Sequence, residues 1–136
     1  LANVADFEII LIDPRDHFAT KSRFPNCKII NEWPDEALSK FNLDKSSHLV
    51  TLTHDPKIDD LALIFCMKKN IGYIGSLGSK KTHNKRCERL IEKGFSEIEL
   101  SKIHAPIGLD IKAKTPAEIA TSILAEIINY RRNNHD

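Results

Sequence analysis

The stretch Tyr73–Gly94 reads YIGSLGSKKTHNKRCERLIEKG and gives the plainest indication of the fold. A strand is predicted over Ile71–Ile74, followed by a loop of glycines and serines over Gly75–Ser79. A basic helix then runs to Lys93 and is closed by Gly94, a residue type favoured just past helix ends. Because the loop presents backbone N–H groups at the start of a helix, it is physically suited to holding an anion.

Strands alternate with helices on both sides of this stretch. Continuous apolar runs predict buried strands, and capping residues predict helix starts. The alternation predicts an α/β fold with a doubly wound, mostly parallel Rossmann-like sheet and helices on both faces. The expected strands are Phe7–Ile12, Cys27–Ile30 and His48–Thr53. One expected helix ends near Asp6, and others start at Pro34, Pro56, Ser96 and Thr115. The helices that start at Pro34 and Pro56 are expected to end near Phe41 and Lys69.

Composition is that of a globular domain. A chain of 136 residues suffices for one domain with a single core, over residues 1–136. A net charge of +1 argues against bulk nucleic-acid binding, and no run has the length of a membrane span. We expect no signal peptide. Cys27, Cys66 and Cys87 have no metal-binding spacing, which suits a reducing cytoplasm.

The carboxyl ends of the predicted strands carry most of the polar residues that could bind a ligand. In doubly wound sheets ligands bind beyond these ends, at the point where the strand order reverses. Here the ends carry Asp13-Pro14-Arg15, His54-Asp55 and the Gly75–Lys80 loop. We therefore expect these segments to form one pocket.

A cluster of cations follows the glycine–serine loop. Lys80 and Lys81 fall at the positive end of the predicted helix, where they oppose the helix dipole unless an anion compensates. Anion binding and a solvated charged face both remain open. The cluster is Lys80, Lys81, Lys85, Arg86 and Arg89, and the candidate binding residues of this segment are Gly75, Ser76, Gly78, Ser79, Lys80, Lys81 and Arg86.

Four further residues allow two interpretations each. Asp13 could accept from a ribose hydroxyl, as an acid does at this place in dinucleotide folds, or Asp13-Pro14 could simply form the turn. Arg15 could reach a phosphate instead. His54 and His104 lie beside structural breakers, so each is either a hydrogen-bonding turn residue or a catalytic group. No metal-ligand set and no nucleophile can be assigned.

Several motifs of the chain, taken in order, resemble one family. They are DPRDHFA (Asp13–Ala19), RFP (Arg23–Pro25), THDPKIDD (Thr53–Asp60), YIGSLGSKKTH (Tyr73–His83) and IHAPIGLDIKAKTPAEIA (Ile103–Ala120). Together they strongly resemble the XdhC/CoxI family of xanthine dehydrogenase accessory factors. The resemblance is colinear over nearly the whole chain and implies the C-terminal, Rossmann-like domain of such a protein.

The resemblance also implies a function. Members of the family bind molybdenum cofactor, protect it during sulfuration and help insert it into xanthine dehydrogenase-type apo-enzymes. A cysteine desulfurase is a further implied partner, and the chain would be a cytoplasmic accessory protein and not an enzyme. The loop Ser76–Lys81 and Arg86 would then hold the phosphate of molybdopterin. Two alternatives are an NAD(P)-dependent oxidoreductase and a non-catalytic remnant or interaction domain, for which a homodimer is expected.

The chain departs from the family pattern at two places. It is expected to start after the first strand and its GAGHVA-like glycine-rich turn, and Lys112 stands where the family pattern GLDIGA has glycine. In the order 3-2-1-4-5 the first strand lies at the centre of the sheet, between the Phe7 and His48 strands. Unpaired strand edges are costly when buried. We therefore expect either direct pairing of these two strands or a gap filled by another chain.

Overall fold

The computed structural model of the protein describes residues 1–2 and 5–135. The helix end expected near Asp6 includes residues 3 and 4, which lie outside the described residues. The described strands are β1 (Ile10–Ile12), β2 (Lys28–Ile30), β3 (His48–Thr51), β4 (Tyr73–Ser76) and β5 (Ile103–His104). The described helices are α1 (Pro34–Leu38), α2 (Pro56–Met67), α3 (Lys80–Glu92), α4 (Glu97–Leu100) and α5 (Pro116–His135).

The described strands form two parallel sheets instead of one. β1 pairs with β2, and β3, β4 and β5 form the second sheet in that order. In the Rossmann order 3-2-1-4-5-6, β2 and β1 take the places of strands 3 and 2, and β3 to β5 those of strands 4 to 6. The place of strand 1 lies between β1 and β3, and no described strand fills it. Direct pairing of β1 with β3, one of the two arrangements expected from sequence, is therefore wrong.

The edge of β1 that faces this gap pairs with no strand that the structure describes. Just after β1, Asp13 donates its N–H to the C=O of Ile30, the last residue of β2. Because successive residues of a strand direct their backbone groups to opposite sides, Leu11 also faces β2. Ile10 and Ile12 therefore direct their N–H and C=O groups into the gap.

The edge of β3 is open in the same way. Just after β4, Leu77 donates its N–H to the C=O of Thr51, the last residue of β3. Leu49 and Thr51 therefore face β4, whereas Val50 faces the gap. Among the described strands, β1 and β3 therefore each pair along one edge only.

Side chains and helices join the two sheets. The Phe7 ring meets the His48 ring edge-on, with 5.7 Å between the centroids. α1 packs against α2, and Ile12 of β1 contacts the apolar cluster under the second sheet. The halves are therefore held together by packing and not by a backbone ladder.

Apolar clusters cover both faces of the three-stranded sheet. Neighbouring residues Tyr73 and Ile74 of β4 point to opposite faces, and each belongs to a different cluster. The Ile74 cluster includes Leu63 and Leu90 from α2 and α3, whereas the Tyr73 cluster includes Ile127 from α5. The predicted fold, helices on both faces of a parallel Rossmann-like sheet, is confirmed.

Local signals predicted the helix starts better than the helix ends, since α1 ends at Leu38 and α2 at Met67, before the expected Phe41 and Lys69. Asp55 accepts from the Lys57 N–H at 3.0 Å and caps α2. Ser96 and Glu99 form the expected capping box of α4. Thr115 accepts from the Glu118 N–H at 3.1 Å at the start of α5, and Gly94 ends α3 with φ 98°.

The strand bounds differ more from the prediction. β4 covers Tyr73–Ser76, two residues later than expected, so Gly75 and Ser76 belong to the strand and not to the loop. A Cβ at position 75 would lie 2.5 Å from the Ile107 side chain, which is too close. Glycine fits there because it has no Cβ. β5 was not predicted, since two residues are too short to show a periodicity.

Candidate functional site

A cavity of about 200 Å³ lies at the carboxyl edge of β3 and β4, between the first turns of α2 and the middle of α3. This is the edge at which sheets of this type bind ligands. The residues lining the cavity are His54, Pro56, Asp59, Asp60, Leu77, Thr82, Lys85, Arg86 and Arg89.

Arg86 is the most deeply buried cation at this cavity, with 4% of its surface exposed. Its Nη2 donates to the C=O of Leu77 at 3.1 Å, and its Nη1 lies 3.1 Å from His83 Nδ1. Its buried Nε has no hydrogen-bond partner. Burial lowers the pKa of Arg86, although the charges of Asp59 and Asp60 partly offset this. An arginine stays ionised in proteins, so the cavity wall carries a buried charge with donors to spare.

His83 connects Arg86 to Cys87. Since a guanidinium can only donate, His83 Nδ1 accepts and its Nε2 carries the hydrogen. That Nε2 lies 3.4 Å from Cys87 Sγ. Burial and the charge of Arg86 lower the pKa of His83, so the imidazole stays neutral. Sequence reasoning missed His83, although its spacing of three residues from Arg86 on one helix face was a usable signal.

Asp59 is the buried anion of the same cavity, with 5% of its surface exposed. Its Oδ1 accepts from the Thr53 hydroxyl at 2.6 Å and from the Thr53 N–H at 3.4 Å. Burial raises the pKa of Asp59 above its ordinary value, partly offset by hydrogen bonds from Thr53 and His54 and by the charge of Arg86. Sequence reasoning also missed Asp59, since its burial depends on how α2 packs.

The THDP segment contributes one lining residue and one cap. His54 lines the cavity and has a φ of 63°, in the left-handed region that non-glycine residues rarely adopt. Asp55 caps α2 through Lys57 N–H and does not line the cavity. The structure thus places His54 at this cavity and gives Asp55 a capping contact.

The glycine–serine segment shapes the cavity more than it lines it. Ser76 is fully buried and its hydroxyl pairs with that of Thr51. Gly78 has φ 136°, and a Cβ there would lie 3.0 Å from the Thr82 side chain. Ser79 caps α3 by accepting from the Thr82 N–H at 3.2 Å. These contacts fix the turn that leads from β4 into α3.

The lysines at the start of α3 point elsewhere. Lys80 and Lys81 are exposed and do not line the cavity. Lys85 and Arg89 line it instead, and Arg89 Nε donates to Asp60 Oδ2 at 2.7 Å. The expected cation cluster is therefore divided between the cavity and the surface.

Asp13 and Arg15 lie at the carboxyl end of β1 and bind each other. Asp13 Oδ1 accepts from the Arg15 N–H at 2.9 Å and from Nε at 3.0 Å, and its Oδ2 accepts from Nη2 at 2.9 Å. Burial raises the pKa of Asp13, but the hydrogen bonds and charge of Arg15 bring it below its ordinary value. Neither residue lines the cavity.

His104 is also separate from this cavity. Its ring stacks on Tyr73 with 4.7 Å between the centroids, and its Nδ1 lies 3.8 Å from Glu126 Oε1. That carboxylate accepts from the Tyr73 hydroxyl at 2.5 Å and from the Gly108 N–H at 3.2 Å. His104 and Tyr73 line a second cavity of about 230 Å³. The structure thus uses His104 to join β5 and α5.

Metal-binding groups and membrane spans are both absent from the described part of the chain. Its His, Cys, Asp and Glu side chains form no group of three or more that could hold a metal ion. None of the described helices combines the length and apolar character needed to cross a membrane.

Parallel strands with helices on both faces and a cavity at the carboxyl edge define a Rossmann-type α/β domain. The family model described as the XdhC Rossmann domain matches residues 1–127. The chain belongs to the XdhC family, as its motifs suggested.

Individual relatives agree with this assignment. The chain is 35% identical over 136 residues to a protein of Bacillus subtilis named as a probable subunit of xanthine dehydrogenase, covering 97% of this chain and 39% of that protein. It is 31% identical over 100 residues to the "Molybdenum cofactor insertion chaperone PaoD" of Escherichia coli, covering 74% of this chain and 31% of PaoD. The crystal structure of a xanthine dehydrogenase from Bacillus halodurans superposes with a TM-score of 0.79 at 32% identity, over 96% of this chain and 37% of that one. The chain thus spans less than two fifths of each of these proteins.

Proposed function

We propose that this chain is a module of molybdenum-enzyme maturation that binds molybdenum cofactor and supports its sulfuration and its insertion into a xanthine dehydrogenase-type apo-enzyme. The names of two relatives support this, since one refers to xanthine dehydrogenase and the other to a cofactor insertion chaperone. The observation that carries the proposal is the cavity at the carboxyl edge of the sheet, where Asp59 and Arg86 are buried and Arg86 Nε has no hydrogen-bond partner.

The residues present fit the cofactor if its two ends are held at different places. A cavity of about 200 Å³ is smaller than the roughly 300–1,000 Å³ of pockets that enclose a whole ligand. The phosphate end would lie outside it, at the start of α3, where backbone N–H groups and the exposed Lys80 and Lys81 favour an anion. Arg86 supports this loop by donating to the C=O of Leu77. When bound, the cofactor supplies the redox chemistry of the recipient hydroxylase, and this chain holds and orients it.

The proposed role is that of an accessory protein and not of an enzyme. Its partners would be the apo-enzyme that receives the cofactor and a cysteine desulfurase that provides the sulfur. Cys27, Cys66 and Cys87 are all free thiols, which supports a location in a reducing cytoplasm.

A second polypeptide is also part of the proposal. The backbone groups of Ile10, Ile12 and Val50 lie on the strand edges beside the gap between β1 and β3, which no described strand fills. A strand from another chain, supplied in a homodimer or by a partner protein, would satisfy both edges at once. A chain that used the gap only for such an interaction would be the non-catalytic alternative.

The NAD(P)-dependent alternative is weaker, because the expected ribose acceptor is occupied. Both carboxylate oxygens of Asp13 already accept from Arg15. Oxidised and reduced dinucleotides are therefore expected to leave the melting temperature unchanged. A rise that grows with dinucleotide concentration would favour this alternative instead.

Titration of the purified chain with isolated molybdenum cofactor tests the main proposal. Saturable binding is expected, and Lys80→Ala combined with Lys81→Ala should weaken it about tenfold by removing charge beside the phosphate. Lys93→Ala, at the other end of the same helix, is the matched control and should change affinity little. Absence of binding by the unmodified chain would overturn the proposal.

A further inference from the structure

Asp59 and Arg86 line one small cavity without a direct ion pair between them. Both are more than nine-tenths buried, and each influences the ionisation of the other. Yet none of the ion pairs among the described residues joins them. Buried opposite charges normally pair, because isolated ones lose much solvation energy. Something that bridges them would therefore be stabilised by both.

Each of the two groups has bonding capacity left. Both Thr53 hydrogen bonds reach Asp59 Oδ1, and the His54 backbone adds a third to the carboxylate. Two carboxylate oxygens offer about four acceptor positions, so the group can accept more. Arg86 has five N–H groups, of which one donates to Leu77 and one faces His83, while Nε is unbonded. A bridging ligand must therefore donate to the carboxylate and accept from the guanidinium.

This requirement separates classes of ligand. A bare phosphate would accept from Arg86 and Lys85 but would be repelled by Asp59. An ammonium group would be attracted by Asp59 and repelled by both cations. A ring with an amino group, a ring N–H and a carbonyl oxygen on one edge satisfies both sides without net charge. Pro56 and Leu77 supply apolar lining for the faces of such a ring. Pterin and guanine share this edge.

We propose that the cavity binds the amino–lactam edge of a pterin ring, with Asp59 accepting from its N–H groups and Arg86 donating to its carbonyl oxygen. The inference rests on the proposed function, because the choice of pterin over guanine comes from the cofactor. It also assigns the two ends of that ligand, the ring to the cavity and the phosphate to the surface at Lys80 and Lys81.

A series of small ligands tests this on the unmodified chain by calorimetry. Pterin should bind saturably. Lumazine, which replaces the amino group by a second carbonyl facing Asp59, should bind about tenfold more weakly or less. Equal affinity for lumazine, tighter binding of guanosine monophosphate, or binding of inorganic phosphate in competition with pterin would each overturn the assignment.

A pair of neighbouring variants gives a second readout. Asp59→Asn retains the acceptor for Thr53 but places an amide where the carboxylate accepted, so pterin affinity should fall between about tenfold and a hundredfold. Asp55→Asn is the matched control, because Asp55 caps α2 without lining the cavity and asparagine caps a helix equally well. Equal losses in the two variants would contradict the proposal.

The two proposals fail in different ways. Binding of intact cofactor with no binding of free pterin, and no effect of Asp59→Asn, overturns the ring assignment and leaves the maturation role standing. Binding of pterin without any binding of cofactor overturns the maturation role. The ligand series needs no variant, so the test does not depend on Asp59→Asn folding.

Discussion

Each of the two sheets has an aspartate and an arginine near its carboxyl edge, but the two side chains pair with each other at only one of these edges. At the end of β1, Asp13 and Arg15 share three hydrogen bonds and close on each other. At the edge of β3 and β4, Asp59 and Arg86 are buried more completely and remain unpaired with each other. The same two residue types thus complete a turn in one half and leave a cavity able to bind in the other.

Hydrogen exchange would sharpen this comparison at the level of the backbone. The N–H groups of Ile10, Ile12 and Val50 face the gap, whereas those of Leu49 and Thr51 lie in the β3–β4 ladder. We expect the first three to exchange on the order of a hundredfold faster or more, since only ladder amides need an opening event. Equal protection, measured by NMR, would mean that the gap is closed in solution.

Removing each arginine should break the two halves unequally. Arg86→Met leaves the Leu77 C=O and His83 without a donor in a buried place, which should cost about 2–4 kcal/mol. Arg15→Met leaves Asp13 bonded to a backbone N–H, so about 1–2 kcal/mol is expected. Urea unfolding of the two variants measures both costs. A larger loss for Arg15→Met would reverse the comparison.

The two aspartates should affect stability in opposite directions as pH changes. The folded pKa of Asp13 lies below its ordinary value of 3.8, so its contribution is present above 3.8 and is lost as pH falls through the folded pKa. The folded pKa of Asp59 lies above 3.8, so its ionisation lowers stability as pH rises from 3.8 through the folded pKa.

Asparagine substitutions make that contrast measurable. Relative to the unmodified chain, Asp13→Asn should be less stable at neutral pH, with the deficit shrinking in acid. The stability of Asp59→Asn relative to the unmodified chain should be higher at neutral pH than in acid. Any effect of the substitution that does not depend on pH shifts both values equally. Thermal unfolding from acid to neutral pH follows both, and parallel profiles for the two variants would refute the contrast.

The smallest expected effect concerns backbone strain. His54 and Lys112 both adopt left-handed φ values, 63° and 59°, but only His54 lines the cavity. Lys112→Gly should stabilise the chain by about 0.5–1 kcal/mol, because glycine adopts such angles without a steric cost. It should leave pterin affinity unchanged in calorimetry. The φ of Lys112 accords with the family pattern, which places glycine there.

The sequence predicted those parts of the structure that depend on neighbouring residues. Asp55, Ser96 and Thr115 start helices as expected, because a cap needs only the next two or three residues. The gap could be anticipated from the strand order. β5 could not, since Ile103 and His104 become a strand only by pairing with β4.

The candidate site was predicted only in part, for a similar reason. His54 and Arg86 were found because they lie in distinctive motifs, and both line the cavity. Asp59 was missed because its burial requires α2 to pack across the sheet. Lys80 and Lys81 were expected beside Arg86, but the cavity-facing stripe of α3 begins at Thr82, and both lysines lie off this stripe and are exposed.

The separation of the two sheets bears on folding cooperativity. No hydrogen-bond ladder joins β1 to β3 in the described part of the chain, and packing contacts such as that of Phe7 with His48 couple the two halves there. A strand that entered the gap would act thermodynamically as a ligand of the native state, raising the melting temperature with the logarithm of its concentration. The stability of the domain would then depend on that strand as well as on the packing between the two halves.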